Sequence, residues 1–102
     1  MSDKKVQPPK GPRLTIDAEV GIGQYSNFVS IAHNFSEVLL DFGRALPGRE
    51  DIPVVSRIIM HPFHAKQLLR ALTHNVQLYE KNFGPIEDPP QGADFTPASG
   101  TN

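Results

Sequence analysis

The chain has 102 residues, 38% of them hydrophobic and 21% charged, which leaves room for one domain and its tails. Its formal net charge of -1 gives no positive excess for binding a polyphosphate backbone or an anionic bilayer. The absence of cysteine excludes disulfides, zinc-thiolate sites and thiol redox chemistry, and it favours a cytoplasmic location.

Both ends of the chain are rich in proline, glycine and small polar residues. Such segments bury too little apolar surface to offset the entropy cost of ordering them. The N-terminal segment also lacks the apolar core of a secretory signal, and no run reaches the roughly 18 apolar residues of a membrane span. We therefore predict disordered tails at residues 1–13 and 87–102, and a single α+β domain at residues 14–86.

Apolar and polar residues alternate in the first half of this domain, which is typical of half-buried strands. The segments that show this pattern are 14–20, 25–33, 36–42 and 54–60. Gly21 and Gly23 end the first segment, and Asn34 begins a tight connection between the second and the third. Residues 43–51 have the composition of a longer loop. The sequence therefore predicts a four-stranded antiparallel sheet.

The apolar pattern changes period after the last strand. Pro62 suits the first turn of a helix, and Gly84 with Pro85 is a typical helix end. Between them, apolar residues three and four positions apart form a first stripe: Ala65, Leu69, Leu72, Val76, Tyr79 and Phe83. At about 1.5 Å per residue the helix is close to 30 Å long. We predict one long C-terminal helix that packs on the sheet.

A second stripe lies beside the first and consists of Leu68, Ala71, Asn75 and Leu78. It widens the apolar face beyond what a helix needs to cover one sheet. A core of this size is often only marginally stable, and a four-stranded sheet leaves open edges. We therefore expect a homo-oligomer, a dimer or higher, with the second stripe as its interface or partner surface. The alternative is a monomer that exposes Leu68 and Leu78 singly.

The motifs of common enzymes are missing, so we predict no catalytic residue and no cofactor. The segment from Gly21 to Gly23 lacks the third glycine and the following helix of a dinucleotide-binding turn. His61 and His64 are spaced to share a helix face, but no third ligand for a metal is evident. We interpret His61 as a helix-entry residue and His64 as a packing or hydrogen-bonding residue.

Basic residues group near the long loop. The candidates for polar or anion contacts are Arg44, Arg49, Arg57 and His64. With exposed Tyr25 or Phe28 beside them, these arginines are compatible with single-stranded nucleic-acid binding by stacking and phosphate contacts. Because carboxylates dilute this charge, nucleic-acid binding is the alternative function here and not the first.

Three spaced motifs carry a family resemblance. They are the runs from Leu40 to Arg49, from Ile58 to Leu72 and from Tyr79 to Gly84. Over residues 25–86 the chain resembles a family of short bacterial proteins of unknown function, of the DUF3467 type. The resemblance implies no activity, and it implies Ser or Thr as the usual residue at the position of His61.

The expected order of four strands and a helix is similar to that of the export chaperone SecB, a cytosolic oligomer that holds unfolded chains. The whirly nucleic-acid-binding proteins have a comparable order. Both are likenesses of topology only. We expect a small oligomeric module that binds a protein or peptide or acts as a scaffold, in a chaperone-like way, and no enzyme.

Overall fold

The computed structural model describes residues 11–89 and confirms an α+β chain with a C-terminal helix. Its elements are α1 (Ala18–Ile22), β1 (Phe28–His33), β2 (Val38–Gly43), β3 (Val54–Met60) and α2 (Pro62–Phe83). The strands form one antiparallel sheet in the order β1-β2-β3. The predicted tails at 1–13 and 87–102 lie mostly outside the described residues.

The hairpin of β1 and β2 is confirmed, and Asn34 builds its turn. The backbone N–H of Asn34 donates to the carbonyl of Glu37 at 3.0 Å. Its side-chain Oδ1 accepts from the N–H groups of Ser36 at 2.8 Å and Glu37 at 2.9 Å. An asparagine side chain that bonds to the backbone two and three residues ahead is a standard turn device, and here it sets the register of the two strands.

The open end of the hairpin is closed by side chains that precede β1. Asn27 brackets Ala45, because its Nδ2 donates to the Ala45 carbonyl at 3.2 Å and its Oδ1 accepts from the Ala45 N–H at 2.7 Å. The Ser26 hydroxyl donates to the carbonyl of Gly43 at 2.9 Å. These contacts extend the pairing beyond β1 without a further strand residue.

Gly43 is buried at a register shift between β2 and β3. A Cβ atom at this position would lie 2.8 Å from Cγ2 of Ile52 and 3.3 Å from the carbonyl oxygen of Pro53. The loop therefore returns too close to β2 for any side chain larger than hydrogen.

One face of the sheet is almost wholly apolar. Directly paired residues in antiparallel strands share a face, and Leu40 pairs with Ile31 on one side and Ile58 on the other. The same alternation defines the apolar sheet face as Val29, Ile31, Val38, Leu40, Phe42, Ile58 and Met60. The opposite face carries the pair of Asp41 and Arg57.

Helix α2 has the predicted bounds and the predicted end signals. His61 is the N-cap, Pro62 opens the first turn, and Gly84 follows the last turn with φ of 97°. That conformation favours glycine, and the Gly84 N–H donates to the Glu80 carbonyl at 2.8 Å. Local residue chemistry thus fixes both ends of α2.

The predicted first strand at 14–20 is wrong. Residues 14–17 have no regular structure, Ala18–Ile22 is the short helix α1, and Leu14 is 91% exposed. The Gly21 N–H donates back to the Asp17 carbonyl at 2.8 Å, which is helical and not strand-like bonding. Alternation shows which side chains share a face, but a strand also needs a partner edge. Residues 11–89 therefore lack the four-strand, SecB-like order.

The predicted packing of the helix on the sheet is also wrong. None of the 22 residues of α2 is buried, and extensive contact between described elements is confined to the two strand pairs. The reason lies in the connection, because His61 alone separates the end of β3 from the start of α2. Connections that fold a helix back onto a sheet usually need about 2–6 residues.

Candidate functional site

Most of the apolar surface of the described chain is uncovered. Leu40, at 7% exposure, is the single buried large apolar residue in the range 11–89. Twenty large apolar residues in the same range are exposed. Soluble monomers rarely show contiguous apolar surface beyond a few hundred Å². The exposed apolar surface is therefore the candidate functional site.

The two stripes of α2 together occupy about half of the helix circumference. At about 100° per residue, the first stripe spans about 80° and the second continues it over about another 80°. Apart from Phe63, the opposite half is polar, and it includes Lys66, Arg70, Gln77 and Lys81. A helix that covers one layer needs an apolar sector of about 100°, so α2 has apolar surface for two neighbours.

The second stripe lies where the sequence predicted it, and its large side chains, Leu68 and Leu78, are exposed. Asn75, the polar member, donates from Nδ2 to the carbonyl of Ala71 at 3.0 Å in its own helix. This internal bond satisfies one of the amide donors before any partner arrives. A neighbour can therefore cover the stripe with a smaller desolvation cost at Asn75.

An exposed pair of aromatic side chains lies at the C-terminal end of α2. The rings of Tyr79 and Phe83 lie 5.0 Å apart, and Phe83 is 74% exposed. Beyond the helix, Glu80 Oε2 accepts from the N–H of Ile86 at 2.9 Å, which holds the segment after α2 against its last turn. The apolar surface thus continues to the end of the helix.

The arginines predicted for anion contacts already have partners in the chain. Arg57 binds both carboxylate oxygens of Asp41, at 2.7 and 2.9 Å, across β2 and β3. These hydrogen bonds hold the pKa of Asp41 below its ordinary value. Arg49 binds Asp51 in the same two-point way, at 3.0 and 2.8 Å, and lowers the pKa of Asp51.

The third arginine, Arg44, lies over an aromatic ring. Its guanidinium carbon is 5.7 Å from the ring centroid of Tyr25. Tyr25 and Phe28 are the two rings that the sequence offers for stacking with a nucleic-acid base. The structure thus brings Arg44 and Tyr25 together, as the nucleic-acid hypothesis requires. However, the two side chains contact each other.

The two histidines at the start of α2 have hydrogen-bonding roles. Nδ1 of His61 accepts from the N–H of Phe63 at 3.0 Å and caps the helix, as Ser or Thr does in other helices. Nδ1 of His64 lies 3.0 Å from Oε1 of Gln67. The ring centroids of His61 and His64 are 6.4 Å apart. Over residues 11–89 no three metal-ligating side chains come together.

The sequence did not reveal that the apolar sheet face stays open. Ile31 and Ile58 flank Leu40 on the two outer strands and are 42% and 43% exposed. The signal that was available is the single residue between Met60 and Pro62, which leaves no loop for the helix to turn back.

A family model described as "Protein of unknown function (DUF3467)" matches residues 1–88. No curated protein and no solved structure matches the chain. In the part of the chain that the structure describes, no helix is both long and apolar enough to cross a membrane.

Proposed function

The chain belongs to the DUF3467 family of proteins of unknown function, and from that premise we propose that it is a homo-oligomeric scaffold that holds a protein or peptide partner. One observation carries this proposal: a single large apolar side chain is buried among residues 11–89, while twenty are exposed. Apolar burial is the main favourable term in folding, so a lone subunit of this shape lacks the core that a stable domain requires.

The second stripe of α2 supports assembly through helix pairing. Leu68 and Leu78 are about three turns apart and frame the small Ala71 and the internally bonded Asn75. A small residue between two large ones lets a second helix approach closely, with ridges in grooves. In a two-fold dimer the same stripe supplies both sides of the contact.

The open edges of the sheet support partner binding. Within residues 11–89, β1 and β3 each pair on one side only, so each has an edge of unpaired backbone groups. β3 is the longer edge, with seven residues, and five of them are apolar. An extended peptide can add to such an edge through backbone hydrogen bonds, with alternate side chains giving specificity.

A chaperone-like role in the cytoplasm is the specific form of this proposal. It is supported by the apolar surface and by the cysteine-free composition, and no longer by a SecB-like strand order. Single-stranded nucleic-acid binding, the alternative, has lost its main support. Arg49 and Arg57 are paired with carboxylates, and Arg44 lies over Tyr25.

Light scattering on the full chain at micromolar concentration tests the assembly. We expect a mass of two or more subunits of 11.3 kDa, and a mass of one subunit would overturn the proposal.

Partner binding is tested by adding a permanently unfolded polypeptide and following amide hydrogen exchange. Slower exchange at the edge amides of β3 supports edge binding, and unchanged exchange at both β1 and β3 contradicts it.

A separate experiment tests the nucleic-acid alternative. A titration with a single-stranded oligonucleotide at two salt concentrations shows affinity that falls steeply with salt if phosphate contacts dominate. We expect no such binding. Salt-sensitive binding that is lost in Arg44→Gln would favour the nucleic-acid function over the scaffold.

A further inference from the structure

We infer that helix α2 of one copy covers the apolar sheet face of a second copy, so that two subunits exchange their helices. This inference rests on the proposed homo-oligomer and specifies which surfaces meet. The first stripe of α2 is the covering surface, and the apolar sheet face is the covered one. The second stripe remains available for the helix of the partner copy.

The apolar sheet face has the form of a core that lacks its second layer. Its central residue, Leu40, is buried. The flanking Ile31 and Ile58 are only partly covered. A sheet with one apolar face becomes stable when a helix or a second sheet covers that face.

The helix of the same subunit does not supply this layer. Met60 ends β3, Pro62 begins α2, and the intervening His61 is extended, with φ of -66° and ψ of 146°. One extended residue carries the helix onward from the strand and does not fold it back across the sheet. Every residue of the first stripe therefore lacks burial in its own subunit.

The composition of residues 1–10 and 90–102 offers too few large apolar side chains for such a layer. The large apolar residues of these two segments are Met1, Val6 and Phe95. Three side chains are too few to cover a face of seven apolar residues and a stripe of six. A second copy carries both missing surfaces in matching amounts.

Helix α2 is long enough to cover the apolar sheet face. Helix α2 is about 33 Å long, and strands of six or seven residues are about 20 Å long. The helix therefore crosses the sheet and still extends beyond it. Its ten stripe positions and the nine positions on the apolar side of the sheet approach the 20–30 residues that each partner contributes to a standard interface.

The surfaces match in charge. The first stripe contains no charged residue, and the polar residues on the apolar side of the sheet are His33 and Ser56. The paired Asp41 and Arg57 lie on the opposite face. Covering the sheet face with the first stripe therefore buries no carboxylate, lysine or arginine, and avoids the large desolvation cost of a charge.

Exchange between two copies covers the first stripe and the apolar sheet face of both subunits. If the helix of subunit one covers the sheet of subunit two, a two-fold axis places the second helix on the first sheet. Each subunit then receives one layer and supplies one layer. This reciprocity favours a second copy over an unrelated partner, which would cover only one of the two surfaces.

Isotope-filtered NMR on the unaltered protein tests the exchange. Full chains labelled with ¹³C are unfolded, mixed with unlabelled chains and refolded together. We expect intermolecular NOEs between the Leu72 methyl groups of one chain and those of Ile31 or Ile58 of the other. If every NOE between helix and sheet lies within one chain, or if none exists, the exchange is wrong.

Cysteine cross-linking gives a second test, which the cysteine-free sequence makes unambiguous. The double variant Leu72→Cys with Ile58→Cys, oxidised and run without reductant, should form a covalent dimer. The matched control pairs Ile58→Cys with Gln77→Cys on the polar half of α2 and should form little dimer. A cross-linked monomer, or equal dimer yields in variant and control, would contradict the exchange.

The scaffold and the exchange fail in different ways. A single-subunit mass in light scattering overturns both. An oligomeric mass with no intermolecular contact between helix and sheet overturns the exchange alone and leaves assembly through the second stripe or the strand edges.

Discussion

At the residue scale, the helix cap at His61 is an unusual use of an imidazole. Its Nδ1 accepts the N–H of Phe63, one of the donors that a helix start leaves unpaired. The substitution His61→Ser should keep the cap, because a serine hydroxyl can accept a hydrogen bond from the backbone N–H groups of the first helical turn. We expect His61→Ala to lower the free energy of unfolding by about 1 kcal/mol.

Urea unfolding of both variants at one protein concentration measures this difference. His64→Ala serves as the control, because it removes a neighbouring imidazole that bonds to Gln67 and does not cap the helix. Equal stability of the His61→Ala and His61→Ser variants would show that the capping bond contributes nothing.

The ion pair of Asp41 and Arg57 should make stability depend on pH in acid. Hydrogen bonds from Arg57 lower the pKa of Asp41 in the folded chain. The folded chain therefore favours the ionised carboxylate of Asp41 more than the unfolded chain does. The stability that results is fully present above the pKa of an unfolded aspartate, about 3.9. It is lost as the pH falls through the lowered pKa of the folded state.

We therefore expect Asp41→Asn to be less stable than the parent chain at neutral pH, with a gap that closes in acid. Unfolding measured from pH 7 to pH 2 follows the gap, and the Arg57→Gln background is the control. There, Asp41→Asn should have a smaller effect, since the charge partner is gone. A gap that stays constant to pH 2 would contradict the pairing.

Gly43 tolerates no side chain because the loop packs against it. Gly43→Ala would force its Cβ into Ile52 Cγ2, and we expect it to lower the free energy of unfolding by about 1–3 kcal/mol. In an Ile52→Ala background the same substitution should cost less. Equal costs in the two backgrounds, measured by chemical unfolding, would show that the close contact with Ile52 is not responsible.

At the element scale, the second stripe of α2 can be separated from helix formation. The double substitution Leu68→Lys and Leu78→Lys keeps good helix formers but puts charges on the stripe. We expect association between copies to weaken, because a lysine is costly to bury without a partner. Sedimentation velocity should show a smaller mass or a higher dissociation constant.

The matched control for that variant is Gln77→Lys on the polar half of the same helix. It adds charge without touching either stripe and should leave the mass unchanged. If both variants kept the parent mass, the second stripe would not be an interface between copies.

The elements that the sequence predicted well depend on local signals. Pro62 and Gly84 mark the ends of α2 through their own backbone restrictions, and Asn34 marks the hairpin through its own side-chain bonds. The positions of both helix stripes follow from the helical period alone. None of these features requires knowledge of distant parts of the chain.

The errors concern relations between elements. Leu14 to Val20 alternates like a strand, but no rule of alternation states whether an edge will accept it. The pairing of Asp41 with Arg57 follows from the register of β2 and β3, which the sequence did not reveal. The direction of α2 depends on one linking residue, so a pattern that predicted an apolar helix face could not predict what covers it.

At the scale of the whole molecule, secondary structure is well formed while apolar burial is scarce. The sheet and α2 each carry an apolar surface that the other does not cover within residues 11–89. Chain entropy costs about 1–2 kcal/mol per ordered residue, which one buried leucine cannot offset. Folding and assembly should therefore be one coupled event.

The most direct test of this coupling is the dependence of unfolding on protein concentration. When a folded subunit exists only within an oligomer, the unfolding midpoint rises as the chain becomes more concentrated. We predict that the urea midpoint of the full chain rises steadily over about a hundredfold range of concentration. A midpoint that stays constant over that range, together with a single-subunit mass, would contradict the claim that a second copy completes the core.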